Sequence, residues 1–383
     1  MNNDMDKYLQ TKLQHLHAKH NHRKLAVSEN NGVMIRYFAD AHLDGKQLNI
    51  SNKEYISFCS NDYLGVIAGV EALPHHQHNH KTGAGASRLI SGNHTLYGKL
   101  EKTIATIKHK QSALIFGSGY LANIGVMTAL MGAGDLILLD KLSHACMIDG
   151  AQLSKAKILR FAHNDMSHLN ALLKKHRAQY KNCMIASETV FSMDGDLAPM
   201  VELRQICDEN DAWLLVDDAH GFGLPHIQSH FADIIVGTFS KAIGTYGGYV
   251  AGSEVLRDYL VNTSRSFIFT TALPEIICAA SLHNILLIQA QPWRAELILQ
   301  YERQIMQKLG LSAQQSPIIP IIIGENQATI KAQQKLKDAG IMVSAIRPPT
   351  VAEGKSRLRI SLNAAHTQQH IDALIIGLMN VLG

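Results

Sequence analysis

From about residue 112 the chain alternates short, almost unbroken apolar runs with stretches of helical period. The apolar runs fall at 112–116, 135–140, 157–161, 183–189, 212–217 and 233–238, and helical patterns at 165–176 and 199–210 lie between them. Apolar runs this short, without polar alternation, mark strands covered on both faces. Strands that alternate with helices predict a mostly parallel sheet. In such sheets the ligand lies beyond the carboxyl ends of the strands. His144, Ser192, Asp217, His220 and Lys241 each fall at or just after a strand end, so they are the first candidates for chemistry.

Ahead of this region, residues 1–50 read as a helical arm followed by short strands, with Leu9, Leu13 and Leu16 at helical spacing. Behind it, residues 275–310 read as one long helical stretch. Runs at 318–323, 342–346 and 357–362 then read as strands, with a helix at 327–339 and a closing helix after Thr367. The predicted fold class is α/β. A large sheet domain spans 51–280, with the arm and short strands at 1–50 and a small α+β domain at 281–383.

Composition narrows the function. The chain has 383 residues, 46% of them hydrophobic, enough for a sizeable core, and its 18% of charged residues argues against long disordered tracts. The net charge of +4 comes without a Lys/Arg block, which argues against a nucleic-acid partner. No apolar run approaches the length of a membrane span, and the polar stretch 1–24 lacks the apolar segment of a signal peptide. Cys59, Cys146, Cys183, Cys207 and Cys278 form no CxxC pair and read as buried reduced thiols of a cytoplasmic protein. His75, His76, His78 and His80 follow Pro74 in a polar stretch. With no Cys or carboxylate nearby to complete a ligand set, they read as a solvated loop and no metal is expected.

Asp217-Asp218-Ala219-His220-Gly221 closes a buried strand. A carboxylate at such a place costs several kcal/mol unless a cation pairs with it, and a helix cap or a metal ligand would also account for it. Thr238-Phe239-Ser240-Lys241 closes the next strand and delivers one lysine, where a loop lysine is ordinarily surface charge. One strand–helix–strand step separates Asp217 from Lys241, so both can face one cavity. A lysine in a cleft can form a Schiff base, and an aspartate can keep a pyridinium nitrogen protonated. Gly117-Ser118-Gly119-Tyr120 lies between a strand and a helix start, where backbone N–H groups favour an anion. It matches neither a dinucleotide nor a nucleoside-triphosphate fingerprint.

These motifs resemble the α-oxoamine synthase family, together with Cys59-Ser60-Asn61-Asp62-Tyr63-Leu64-Gly65, Ser87-Arg88-Leu89-Ile90-Ser91-Gly92 and Ser143-His144-Ala145. The resemblance runs from about residue 20 to the C-terminus. It implies the aspartate-aminotransferase-like fold (fold type I), a homodimer, and pyridoxal 5′-phosphate as cofactor. Lys241 would hold the cofactor covalently and Asp217 would pair with its ring nitrogen. His144 would stack on the ring, and His220 and Ser192 would contact the side of the phenolic oxygen. Gly119, Tyr120 and Thr238 would hold the phosphate, with Thr270 and Thr271 reaching the phosphate of the neighbouring subunit. In Arg357-Leu358-Arg359 the two arginines point the same way along a strand, and the resemblance favours Arg359 as the clamp on the amino-acid carboxylate. Asn61, Thr350 and Arg23 would also touch substrate. Asp218 is expected to matter less than Asp217.

Within the family, Ile346-Arg347-Pro348-Pro349-Thr350-Val351 resembles the members that join L-alanine to a pimeloyl thioester, carried by CoA or an acyl carrier protein, on the way to biotin. Ala352 and Tyr97 depart from the usual pattern of those members, and the basic cluster near residue 23 is thinned to Arg23 and Lys24. Another amino acid and acyl pair is the alternative. An aminotransferase on this fold would need Lys241 and Asp217 but not the 346–350 loop.

Overall fold

The computed structural model describes residues 4–18, 28–30, 32–38, 50–67 and 80–382. It forms two compact units: Asn61–Gln300 with Gln314–Ser316, and Met1–Ser60 with Tyr301–Ala313 and Pro317–Gly383. In chain order the strands are β1 (Ser28–Asn30), β2 (Met34–Phe38), β3 (Ile50–Ser57), β4 (Ser112–Phe116), β5 (Leu136–Asp140), β6 (Lys157–Phe161), β7 (Cys183–Glu188), β8 (Trp213–Asp217), β9 (Ile234–Thr238), β10 (Gly248–Gly252), β11 (Ile318–Gly324), β12 (Ile341–Met342), β13 (Ser344–Ile346) and β14 (Ser356–Ser361).

In the larger unit, seven strands form one sheet in the order β4-β10-β9-β8-β7-β5-β6. Its neighbours pair in parallel except at β10, which runs antiparallel to both β4 and β9. Every residue of β5, β7 and β9 is buried, as expected of strands covered on both faces. Leu114, Ile137, Leu139, Met184, Leu215 and Val236 share one core with Val126 and Met127 of the helix Gly119–Leu130. Each such side chain stabilises the fold by about 1.5–3 kcal/mol through burial. The order of the strands carries β5, β7, β8 and β9 side by side, so their carboxyl ends open on one edge.

Sequence periodicity missed β10, because two of its five residues are glycine and it has no helix before it. Its first residue has a structural reason to be glycine. A Cβ on Gly248 would lie 2.4 Å from the backbone nitrogen of Gly119. The helix start at Gly119 can therefore press against the sheet. The stretch read as one helix at 275–310 is two, Glu275–Ala290 and Trp293–Lys308. Pro292, which lacks an N–H, stands at the break.

In the smaller unit β1-β2-β3-β12 form one sheet and β11-β14-β13 another. β12 pairs in parallel with β3, Ile341 opposite Ile56. That pairing groups residues 1–60 with the C-terminal strands, where the sequence had set them apart, while residues 281–300 cluster with the larger unit. The run at 342–346 divides at Val343, its two halves joining different sheets. The helix Asp4–Ala18 forms as its period predicts, with Leu9, Leu13 and Leu16 exposed. No helix among the described residues is long and apolar enough to cross a membrane.

Candidate active site

Lys241 follows β9 and His220 follows β8, so neighbouring strand ends deliver them together. Lys241 Nζ lies 2.7 Å from His220 Nε2. His220 Nδ1 lies 2.5 Å from the hydroxyl of Tyr63, which donates to Asn61 Oδ1 at 3.0 Å. His220 thus links the Tyr63 hydroxyl and the Lys241 amine, one at each ring nitrogen. The relay joins Lys241, His220, Tyr63 and Asn61, and Tyr63 is fully buried.

Asp217, at the end of β8, is fixed from two sides. Asn123 Nδ2 donates to Oδ2 at 2.7 Å and the Ala219 N–H donates to Oδ1 at 2.9 Å. His144 caps the helix Ala145–Ser154 by accepting the Cys146 N–H on Nδ1 at 3.3 Å. Burial lowers its imidazole below the ordinary value, with Asp217 pulling the other way. His144 is therefore neutral near pH 7 with its proton on Nε2. The Cys146 thiol lies 2.9 Å from His144 Nδ1, and burial pushes it up, so it stays a thiol. Glu188, wholly buried at the end of β7, sits in register with Asp217. Burial and then the Asp217 charge push its carboxyl up to about 8, while Lys241 and the backbone N–H groups of His144 and Ser192 pull it back.

The other end of the site suits an anion. Ser118 caps the helix Gly119–Leu130, its hydroxyl accepting the Leu121 N–H at 3.1 Å. Thr238 Oγ1 lies 2.8 Å from Ser240 Oγ, and a Cβ on Gly119 would come within 3.2 Å of Thr238. Tyr120 donates to Asp149. A cavity of about 180 Å³ is lined by Gly119, Tyr120, His144, Asp217, Thr238 and Lys241, together with His220, Cys146, Glu188 and Ser240. An amine, a fixed carboxylate, a neutral imidazole and a helix start with two hydroxyls converge there. That donor set fits pyridoxal phosphate: a covalent tether, a partner for the ring nitrogen, a face and a phosphate cradle.

The remaining candidates lie elsewhere. Ser192 is not among the residues lining the cavity, and its backbone N–H serves Glu188, which is. Thr270 and Thr271 line a different hollow with Arg88 and Tyr97. The hydroxyl of Tyr97, a departure from the family pattern, accepts the Leu273 N–H at 2.6 Å and so anchors that segment. Thr350 and Arg359 belong to the smaller unit. There Arg359 is buried in the central strand β14 and donates to Ser361 Oγ at 2.7 Å, and Thr350 is exposed with its N–H on the Arg347 carbonyl at 3.0 Å. Arg357 is buried as well, so neither arginine is a surface residue of a strand edge. Arg23 lies outside the described residues, as do His75, His76 and His78. Among the described residues no cluster could hold a metal. Sequence reasoning did not single out Glu188, Asn123, Tyr63 or Ser240. Glu188 could have been found as a carboxyl at a strand end, one strand from Asp217.

The sequence profile of the family described as aminotransferase class I and II matches residues 53–378. The chain is 43% identical to the 8-amino-7-oxononanoate synthase of Methylobacterium nodulans, over 92% of this chain and 93% of that one. Among solved structures it is similar to serine palmitoyltransferase of Sphingomonas wittichii, with a TM-score of 0.84 and 26% identity over 98% of this chain and 96% of that one. It is also similar to 8-amino-7-oxononanoate synthase of Francisella tularensis, with a TM-score of 0.71 and 28% identity over 85% of this chain and 98% of that one.

Proposed function

We propose the reaction of a chain that belongs to the class I and II aminotransferase family and, within it, to the 8-amino-7-oxononanoate synthases: it joins L-alanine to a pimeloyl thioester, releasing carbon dioxide and thiol, in biotin synthesis. The fold is fold type I and the enzyme is a pyridoxal-phosphate-dependent acyltransferase. The observation that carries the substrate reading is the 43% identity to an enzyme of that name over 92% of the chain.

When bound, pyridoxal phosphate supplies an electron sink conjugated to the α-carbon of the amino acid. Lys241 would tether the cofactor through its amine, and that amine, when free, would take the α-proton of alanine. His220 lies within hydrogen-bond reach of that amine, and Tyr63, itself held by Asn61, fixes the imidazole in place. Asp217 would keep the ring nitrogen protonated, and Asn123 holds its carboxylate in place. His144, its imidazole kept neutral by burial, would lie against the ring face. Gly119, Tyr120 and Thr238 would hold the phosphate, and Ser192 and His220 would serve the phenolic oxygen. Arg359 takes the carboxylate of alanine, with Asn61 and Thr350 as further substrate contacts, and Arg23 takes the far end of the acyl chain.

The active sites are shared in a homodimer, with Thr270 and Thr271 serving the neighbouring subunit's phosphate. The support is local. Leu89, Ile90 and Phe269 are exposed, and Ser87 bridges to Thr271 beside them. The test of the substrate pair is a turnover assay that offers alanine, glycine and serine with pimeloyl, acetyl and succinyl thioesters, on CoA and on acyl carrier protein. Alanine with pimeloyl thioester is expected to be fastest, with glycine a slow competitor, since one methyl group is worth about 1–3 kcal/mol. Glycine with acetyl or succinyl thioester faster by about tenfold, a gap of about 1.4 kcal/mol, would overturn the pair.

A further inference from the structure

Two loops bring candidate groups to the same buried carboxyl. One follows β5 and runs from Asp140 to His144. The other follows β7 and carries Ser192 on the way to Leu197. The backbone N–H groups of His144 and Ser192 both serve Glu188. The spacing of the two loops therefore decides how this wall of the cavity is held.

His163, just after β6, bridges the same two loops. Its Nδ1 lies 3.0 Å from Asp140 Oδ1 and its Nε2 lies 2.6 Å from Asp196 Oδ2. Both ring nitrogens face carboxylate oxygens, so both donate, and the ring is an imidazolium. Each carboxylate is built into its own loop. Asp140 also accepts the N–H groups of Leu142 at 2.8 Å and Asn164 at 2.9 Å, and its carbonyl accepts the Ser143 N–H at 3.1 Å. The Asp196 carbonyl accepts the Phe191 N–H at 3.0 Å. Asn164 sits in a left-handed conformation (φ 51°), which asparagine tolerates. From there its amide donates to Asp196 Oδ2 and to the Leu197 carbonyl, each at 3.1 Å. The Phe191 ring meets the His163 ring edge-on at 4.4 Å.

We propose that His163 is a positioning residue, a cationic clasp between Asp140 and Asp196 that sets the spacing of the loops carrying His144 and Ser192 and so shapes the cofactor cavity. Burial alone would pull this imidazole down, but its hydrogen bonds to the two aspartates outweigh burial and raise it to about 10. The clasp stays closed across the neutral range.

The inference rests on reading this cavity as the cofactor site, so its test has an arm that does not depend on the cofactor. His163→Gln removes the charge, while His163→Arg keeps a cation with several donors. Amide hydrogen exchange is measured on the cofactor-free proteins. The visible circular dichroism of bound pyridoxal phosphate, its dissociation constant and kcat are measured on the loaded ones. In His163→Gln, exchange should rise about tenfold in both loops, at 142–144 and at 191–196. Cofactor dichroism should change, and kcat should fall by about 10- to 100-fold from misplacement. His163→Arg should stay much nearer to wild type on every readout. If His163→Gln lowers only the melting temperature and leaves exchange in either loop unchanged, the clasp is overturned, whatever the cofactor does. If exchange rises in both loops of His163→Gln but the wild-type protein itself binds no pyridoxal phosphate, the clasp stands and the cofactor reading falls.

Discussion

Asp217 and Asp218 are adjacent, yet replacing each by asparagine should do opposite things. The Asp218 side chain is wholly buried and pairs with Lys108, whose side chain is only 7% exposed. Asp218 Oδ1 also accepts the Thr189 hydroxyl at 2.6 Å, and the Lys108 ammonium lies 4.7 Å from the centroid of the Phe222 ring. In Asp218→Asn the amide oxygen still accepts from Thr189, but Lys108 loses its counter-charge where water does not reach. Breaking a buried pair from one side costs about 3–5 kcal/mol. The retained Thr189 bond, worth about 1 kcal/mol, puts the expected loss near 3 kcal/mol. That is roughly a 100-fold fall in the ratio of folded to unfolded protein. The assay is urea unfolding of the loaded enzyme followed by far-ultraviolet dichroism at fixed protein and cofactor concentrations. The double variant Lys108→Met with Asp218→Asn removes the stranded charge and should regain about 2 kcal/mol. A single variant within about 0.5 kcal/mol of wild type, or a double variant no more stable than the single, would refute the reasoning. The sequence alone had Asp218 mattering less than Asp217, but its buried pair with Lys108 gives it a part of its own. Asp218 is a structural anchor behind Asp217.

The complementary variant, Asp217→Asn, should keep most of the stability and lose rate by at least about 100-fold, because an amide cannot hold a ring nitrogen protonated; turnover within a few-fold of wild type would remove that role. His366 is buried and neutral: its Nδ1 accepts the Asn363 N–H at 3.1 Å, its Nε2 donates to the Ser57 carbonyl at 3.0 Å, and burial lowers it to about 4. The unfolded chain takes this proton near pH 6.5, so stability should fall as pH drops from 6.5 toward 4, by roughly 3 kcal/mol in all. The slope of the urea midpoint against pH should flatten in His366→Gln, and an unchanged slope would contradict it. Mixing Lys241→Ala subunits with Thr271→Ala subunits should restore some activity if sites are shared, and no rescue would mean that each chain is self-sufficient.

The strands buried on both faces were legible because a short unbroken apolar run, closed by a turn at each end, suits a doubly covered strand and little else. β4 lies where its run predicted it, and so does β6, but β6 is an edge strand with Lys157 and Arg160 exposed rather than one covered on both faces. The lining of the cavity was legible where residue type and strand end coincided, at Lys241, Asp217 and His220. β10 was not, because its glycines answer to the close approach of Gly119 rather than to periodicity. Glu188 hid among apolar residues as the last position of a fully buried strand. The partners Lys108 and Asp218 are 110 positions apart, so nothing local in sequence announces their pairing. The clasp at His163 is similar in kind. It takes Asp140, His163 and Asp196 from three separate strand ends, and only the sheet order brings them together.

The central claim is that Lys241 tethers pyridoxal phosphate in the cavity at the carboxyl ends of β7, β8 and β9. The measurement is borohydride reduction of the purified protein, followed by peptide mapping of the fixed cofactor. The account predicts a yellow protein whose colour bleaches on reduction and a single stable adduct on Lys241. An adduct on another lysine, or a protein that takes up the cofactor and yields no adduct, would contradict it.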